Sequence, residues 1–179
     1  MPGGAPPPRR DERAALRARA LRMLALREHG RAELERKLSH ARGTGQPPAP
    51  ELLRRVLDEL QAQGLLDEAR FAQSVARRLA QRHGSLRVLG ELKRQGLDDE
   101  LARHALREAE SELEPEADRA LRLLRRHDPQ PPVDAAQRAR QMRFLQRRGF
   151  SAEAVREAMR VHAGGAQSSQ SSPHDDCDD

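Results

Sequence analysis

The sequence predicts an all-α fold, built as an elongated array of three tandem three-helix repeats. Three observations lead there. Apolar residues recur at helical spacing, and no alternating strand pattern appears. The 179 residues are 36% hydrophobic but only 2% aromatic: Phe71, Phe144 and Phe150, with no Trp or Tyr. Leu, Ala and a few Val and Met must therefore build the core, which suits several small helical units better than a sandwich or barrel. Finally, the pattern of helices restarts twice along the chain.

The head, MPGGAPPPRR (residues 1–10), is Pro/Gly-rich and reads as disordered. Repeat 1 covers residues 11–66. Its first helix is expected from about Asp11 to His29, with Leu16, Ala20, Met23 and Leu24 on one face. Gly30 is expected to stop it in the left-handed conformation. A short helix carries Leu34 and Leu38. The Gly/Pro loop from Ala41 to Pro50 breaks the pattern. A third helix carries Leu53, Val56, Leu57 and Leu60 and ends at Gly64.

Repeat 2 covers residues 67–112. Asp67 is expected to cap a helix with Phe71, Ala72, Val75 and Leu79, ending at His83-Gly84. Ser85 is expected to cap a short helix with Val88, Leu89 and Leu92, closed by Gly96. Asp98 then caps a helix with Leu101, Ala102, Ala105 and Leu106. Repeat 3 covers residues 113–163. Ala117, Ala120, Leu121 and Leu124 face inward up to His127, and the loop DPQPPV follows. A helix with Met142 and Leu145 closes at Gly149, and Ser151 caps a last helix with Ala154, Val155, Ala158 and Met159. Residues 164–179 read as a disordered acidic tail. Helices this short are unstable alone, so each must bury its stripe against its neighbours. Three stacked units would span on the order of 60–80 Å.

Charge points to the partner. The chain has 33 basic and 28 acidic residues, net +5, and the tail holds Asp175, Asp176, Asp178 and Asp179 without Lys or Arg. The body is thus more basic than the whole, which favours polyanions. All but Lys37 and Lys93 of the basic residues are arginine, a bias that a GC-rich genome would also produce. The single cysteine, Cys177, fits a reducing cytoplasm. No apolar run approaches the ~18 residues of a membrane span, and the head lacks the apolar core of a signal peptide. A cytoplasmic protein with no membrane partner is expected.

No GxxxxGK[ST], GxGxxG or GxSxG occurs. Acidic clusters such as Asp67-Glu68 and Asp98-Asp99-Glu100 sit at helix starts, where they complement the dipole. His29, His83 and His127 lie one repeat apart at expected helix ends, a structural pattern rather than a metal site. The tail HDDCDD lacks the paired spacing of zinc ligands. No enzyme, cofactor, metal or small-molecule substrate is expected.

The arginines are the candidate site. Arg27, Arg31, Arg36, Lys37 and Arg42 surround the first turn; Arg77, Arg78, Arg82, Arg87, Lys93 and Arg94 surround the second; Arg138, Arg140, Arg143, Arg147 and Arg148 crowd the eighth helix. Any one of them is ordinarily solvated or in an i,i+4 pair. As a recurrent set they can contact phosphates or carboxylates bidentately. Aligning Leu145 with Leu92 places Phe144 outward, either as a protein contact or packed on a neighbouring helix.

Three stretches resemble the RecX family of bacterial regulatory proteins. ALREHGRAELERKL (Ala25 to Leu38) is similar to the family's R-E-H-S-x-x-E-L-x-x-K-L. LDELQAQGLLDEARFA (Leu57 to Ala72) is similar to L-x-x-x-G-L-L-D-D-x-R-F-A. RFLQRRGFSAEAVREAM (Arg143 to Met159) is similar to the terminal R-F-L-x-x-R-G-F-S. Arg31 stands where the family has Ser, and Glu68 where it has the second Asp. The loops at residues 41–50 and at DPQPPV are longer. The resemblance spans roughly residues 16–162 and implies a three-repeat helical protein that binds the RecA filament on single-stranded DNA. It further implies inhibition of RecA ATPase, strand exchange and co-protease activity. The alternative is a sequence-tolerant DNA-binding protein of helix-turn-helix-like units acting on free DNA.

Overall fold

A computed structural model of the chain describes residues 10–40 and 47–164. The head, the segment with Arg42 and the acidic tail with Cys177 lie outside the described residues. Within them the chain is helical: α1 Arg10–Leu24, α2 Arg31–Ser39, α3 Pro50–Ala62, α4 Glu68–Ala80, α5 Ser85–Arg94, α6 Asp99–Ser111, α7 Glu116–His127, α8 Ala135–Arg147 and α9 Ala152–Gly164. None is long and apolar enough to cross a membrane.

Three of the expected helix stops occur as positive-φ glycines: Gly64 at 67°, Gly96 at 88° and Gly149 at 80°. Each lets the chain fold back over the last turn, so that the backbone N–H groups of Leu66, Leu97 and Phe150 reach the carbonyls of Leu60, Leu92 and Leu145. The starts follow local chemistry as well. The Asp67 carboxylate accepts from the N–H groups of Ala69 and Arg70, Asp98 from Leu101, and Ser151 Oγ from Ala154. Asp134 caps α8 in the same way through Gln137.

The first helix departs from expectation. It ends at Leu24, not near His29. Ala25 and Arg27 still donate to the Leu21 and Met23 carbonyls, but Leu26 is 86% exposed, so continuing the helix would bury no more apolar surface on that side. Gly30 does not adopt the left-handed conformation. Its φ of −74° and ψ of 152° make it the extended N-cap of α2. It is glycine for lack of space: a Cβ there would lie 2.7 Å from the Phe71 ring.

The described residues form two compact units. The first runs to Val75 and adds Leu92–Ala105; the second comprises Ala76–Glu91 and the chain from Leu106. The middle helices α4, α5 and α6 thus each contribute to both. In the first unit α1, α2 and α3 pack together over Leu34, Leu38, Val56, Leu57 and Leu60, all fully buried. In the second, α7 packs most extensively on α9, with α8 against both, around Ala120, Leu124, Leu145, Val155 and Met159. Both cores are small; the first is aliphatic, and the second adds Phe144 and Phe150 to its aliphatic residues.

Candidate nucleic-acid and protein interface

The second unit is organised by two glycine turns in backbone contact. Gly84, before α5, donates its N–H to the Arg148 carbonyl at 3.1 Å, and Leu86 donates to the Gly149 carbonyl at 3.0 Å. A Cβ on Gly84 would fall 2.2 Å from the Phe150 Cα, and one on Gly149 would fall 2.4 Å from the Arg87 Cβ. Glycine on both sides is what permits this approach. Glu116, the first residue of α7, joins the two turns: it accepts from the Ser85 N–H at 2.7 Å, the Ser151 N–H at 3.3 Å and the Ser151 hydroxyl at 2.7 Å. Burial pushes its carboxyl up, yet the serine hydrogen bonds prevail and hold it below the usual range. Ser85 therefore does not cap its own helix; Glu116 does that work from a different helix.

This junction gathers cations. His83 faces Arg87, Arg148 and Arg82; burial first and then these charges push its imidazole below the usual value, and its buried Nδ1 has no hydrogen-bond partner. Neither His29 nor His83 closes a helix as an imidazolium. His29 is 3% exposed, depressed by burial, and its Nδ1 lies 3.0 Å from Glu33 of α2. His127 does end α7, where its ring stacks on Phe144 at 3.9 Å between centroids.

Phe144 thus packs on a neighbouring helix, the second of its two expected placements, rather than offering a protein contact. It is 8% exposed, covered by His127 and by Arg148, whose guanidinium lies 5.4 Å from the ring centroid. Arg148 is thus tied into the fold by a cation–π contact.

Residues 122–148 hold eight arginines and only two aspartates. On α8, Arg140, Arg143 and Arg147 follow an i, i+3, i+7 spacing, away from the buried stripe of Gln141 and Leu145. Arg140 and Arg143 line one shallow groove with Asp134 and Gln137. Arg138, Arg140, Arg143 and Arg147 are exposed and have no carboxylate partner among the described residues. The same holds for Arg78, Arg82 and Arg87, whereas Arg77 pairs with Glu112 at 2.6 Å. Such guanidinium forks are available to phosphate or carboxylate oxygens.

The candidates of the first unit are differently placed. Arg27 and Lys37 both pair with Glu33, at 2.5 and 2.8 Å. Arg31 reaches Asp58 at 2.6 Å and Gln61 at 2.7 Å. Lys93 pairs with Asp99 at 2.7 Å, and Arg94 is also engaged. Arg36 is the candidate of this group left exposed without a carboxylate among the described residues. Outside the candidate set, Arg119, Arg122 and Arg126 of α7 share a face at i, i+3, i+7, a signal present in RALRLLRR beside the leucine stripe.

Two family models match, described as RecX, second three-helix domain (residues 67–106), and RecX, third three-helix domain (residues 114–159). The chain is 46% identical over 150 residues to the regulatory protein RecX of Leptothrix cholodnii, covering 82% of this chain and 88% of the relative. It is 41% identical over 148 residues to that of Herbaspirillum seropedicae, covering 82% and 90%. The crystal structure of RecX from Lactobacillus salivarius superposes with a TM-score of 0.65 at 17% identity over 84% of this chain, a likeness of fold.

Proposed function

The chain belongs to the RecX family of regulatory proteins, and from that premise we propose that it binds the RecA filament on single-stranded DNA and restrains RecA. The inhibited activities in this reading are ATP hydrolysis, strand exchange and co-protease function. One observation carries the choice of surface: the exposed arginines of α8 and of the α4–α5 turn lack carboxylate partners among the described residues. A guanidinium already paired must break that pair before it binds a new anion. An unpaired one exchanges only water, so its contact with an acidic protein surface or a phosphate is worth more. Repetition of such contacts along a polymer adds avidity without stronger single contacts.

The test is RecA ATPase on single-stranded DNA with sub-stoichiometric amounts of this protein. Inhibition by the wild-type chain is expected. Simultaneous reversal of Arg140, Arg143 and Arg147 to Glu is expected to raise the half-inhibitory concentration about tenfold or more. Arg148 is left alone because it supports Phe144. Full inhibition by a correctly folded triple variant would remove this surface from the reading. A wild-type chain that binds DNA with a steep salt slope, yet leaves RecA untouched, would replace it with direct DNA binding.

A further inference from the structure

A second feature of the cationic unit lies apart from α8. Arg119, Arg122 and Arg126 of α7, with Leu123, face Gln81 and Arg82 at the end of α4 and Phe150 after α8. Together they enclose a depression of about 80 Å³. That is far below the roughly 300–1,000 Å³ of small-molecule sites, so the occupant is a small group rather than a nucleotide.

Charge at this depression is incompletely compensated. Arg119 is 3% exposed and always protonated. One of its terminal nitrogens donates to the Glu114 carbonyl at 3.1 Å, the other makes a long 3.5 Å contact with Glu110, and its Nε has no partner. Glu110 meets Arg119 only through that long contact, and burial and nearby Glu116 raise its carboxyl. Arg122 is held by Glu114. Arg82 and Arg126 have no carboxylate among the described residues. Four guanidinium groups thus meet two carboxylates, over an apolar floor of Leu123 and Phe150 that strengthens electrostatic attraction. An uncompensated buried charge is costly, and an anion seated here would relieve it.

We propose that this depression is a phosphate-binding site that seats one backbone phosphate of a nucleic-acid strand, with Arg82 and Arg126 as the fork and Arg119 as the fixed charge behind them. Taking the phosphate from nucleic acid rests on the function proposed above; the oxyanion site itself rests on the pocket. Arg82, just past α4, and Arg126, in the last turn of α7, are exposed, so a strand has access to them, while the buried Arg119 sets where the anion sits.

The experiment follows the Arg119 Nε–H resonance by nuclear magnetic resonance while the full-length protein is titrated with inorganic phosphate, oligo-dT or poly-glutamate. Saturable shifts of that resonance with phosphate and with oligo-dT, but not with chloride, are expected. Arg82→Gln and Arg126→Gln should each weaken oligo-dT binding about threefold to tenfold, with a shallower salt slope, whereas Arg54→Gln on α3 should not. Uniform, unsaturating shifts of all arginines would overturn the site. So would a response to poly-glutamate and none to oligo-dT, or unchanged oligo-dT affinity in both variants. RecA ATPase is measured on the same samples. Wild-type inhibition retained by both variants, with their DNA affinity unchanged, removes the pocket and leaves the regulatory reading. Arg119 shifts with oligo-dT, without any effect of the wild type on RecA, remove the regulatory reading and leave the pocket.

Discussion

The two compact units resemble each other in their turns and differ in what surrounds them. His29-Gly30 and His83-Gly84 occupy equivalent repeat positions. In the first unit His29 meets Glu33, and that one buried carboxylate also collects Arg27 and Lys37. In the second, His83 meets three arginines and no carboxylate takes the place of Glu33. The corresponding anchor, Glu116, comes from another helix and holds serines instead of cations. Equivalent arginine positions therefore carry different electrostatics. A repeated sequence pattern predicts repeated helices, but the availability of a charge depends on which carboxylate the fold brings beside it.

The largest contrast is expected at the glycines. Gly84→Ala drives a Cβ into the backbone of Phe150 and Gly149, which has no rotamer to yield, and should cost about 3 kcal/mol or more. Gly30→Ala meets only the Phe71 ring, a side chain that can shift, and should cost about 1–2 kcal/mol. Urea unfolding followed by far-ultraviolet circular dichroism compares them. Equal losses would mean that the two turns are not differently constrained.

The anchoring carboxylates come next. Burial alone would raise Glu33, but hydrogen bonds from Arg27, Lys37 and His29 bring it down from 4.5 to about 2. A carboxyl depressed on folding contributes stability that is complete above about pH 4.5 and lost as pH falls through 2. His29, lowered mainly by burial, adds to the loss on acidification: its contribution is complete above its ordinary 6.5 and declines as pH falls below that. Up to about 3 kcal/mol is at stake at Glu33, and Glu33→Gln should flatten stability against pH between 4.5 and 2. Glu116→Gln removes a charged acceptor from two serines and should cost about 2 kcal/mol at neutral pH. Denaturant titrations across pH 2–7 read both; an unaltered acid limb in Glu33→Gln would refute the first.

The functional contrast is the smallest in energy and the most direct. Reversal of the paired set Arg27, Arg31 and Lys37 should change RecA inhibition about twofold at most, against tenfold for the α8 set. Folded variants compared by ATPase titration decide it, and a larger effect from the paired set would invert the assignment of surfaces.

Helix identity was legible because it depends on neighbours three and four residues apart. Leu34 and Leu38, Leu53 to Leu60, and Ala154 to Met159 are buried where their spacing puts them. Gly64, Gly96 and Gly149 stop their helices, and Asp67, Asp98 and Ser151 cap the next ones. Apart from the early end of α1, which the exposed Leu26 explains locally, what spacing left undecided involves other parts of the chain. Gly30 is constrained by a phenylalanine 41 positions on, so its conformation is not the local default. The Ser85 N–H is satisfied by Glu116, 31 residues away. Phe144 turns inward because His127 and Arg148 are there to cover it.

What the amino-acid order alone determined is a chain of short amphipathic helices with defined stops, a small, largely aliphatic core and an arginine-rich surface. These follow from local propensity and periodicity. The tertiary structure decided which of those arginines are paired and which remain open, and which turns had to be glycine. Pairing and close approach depend on residues brought together from far along the chain, and no spacing rule encodes them.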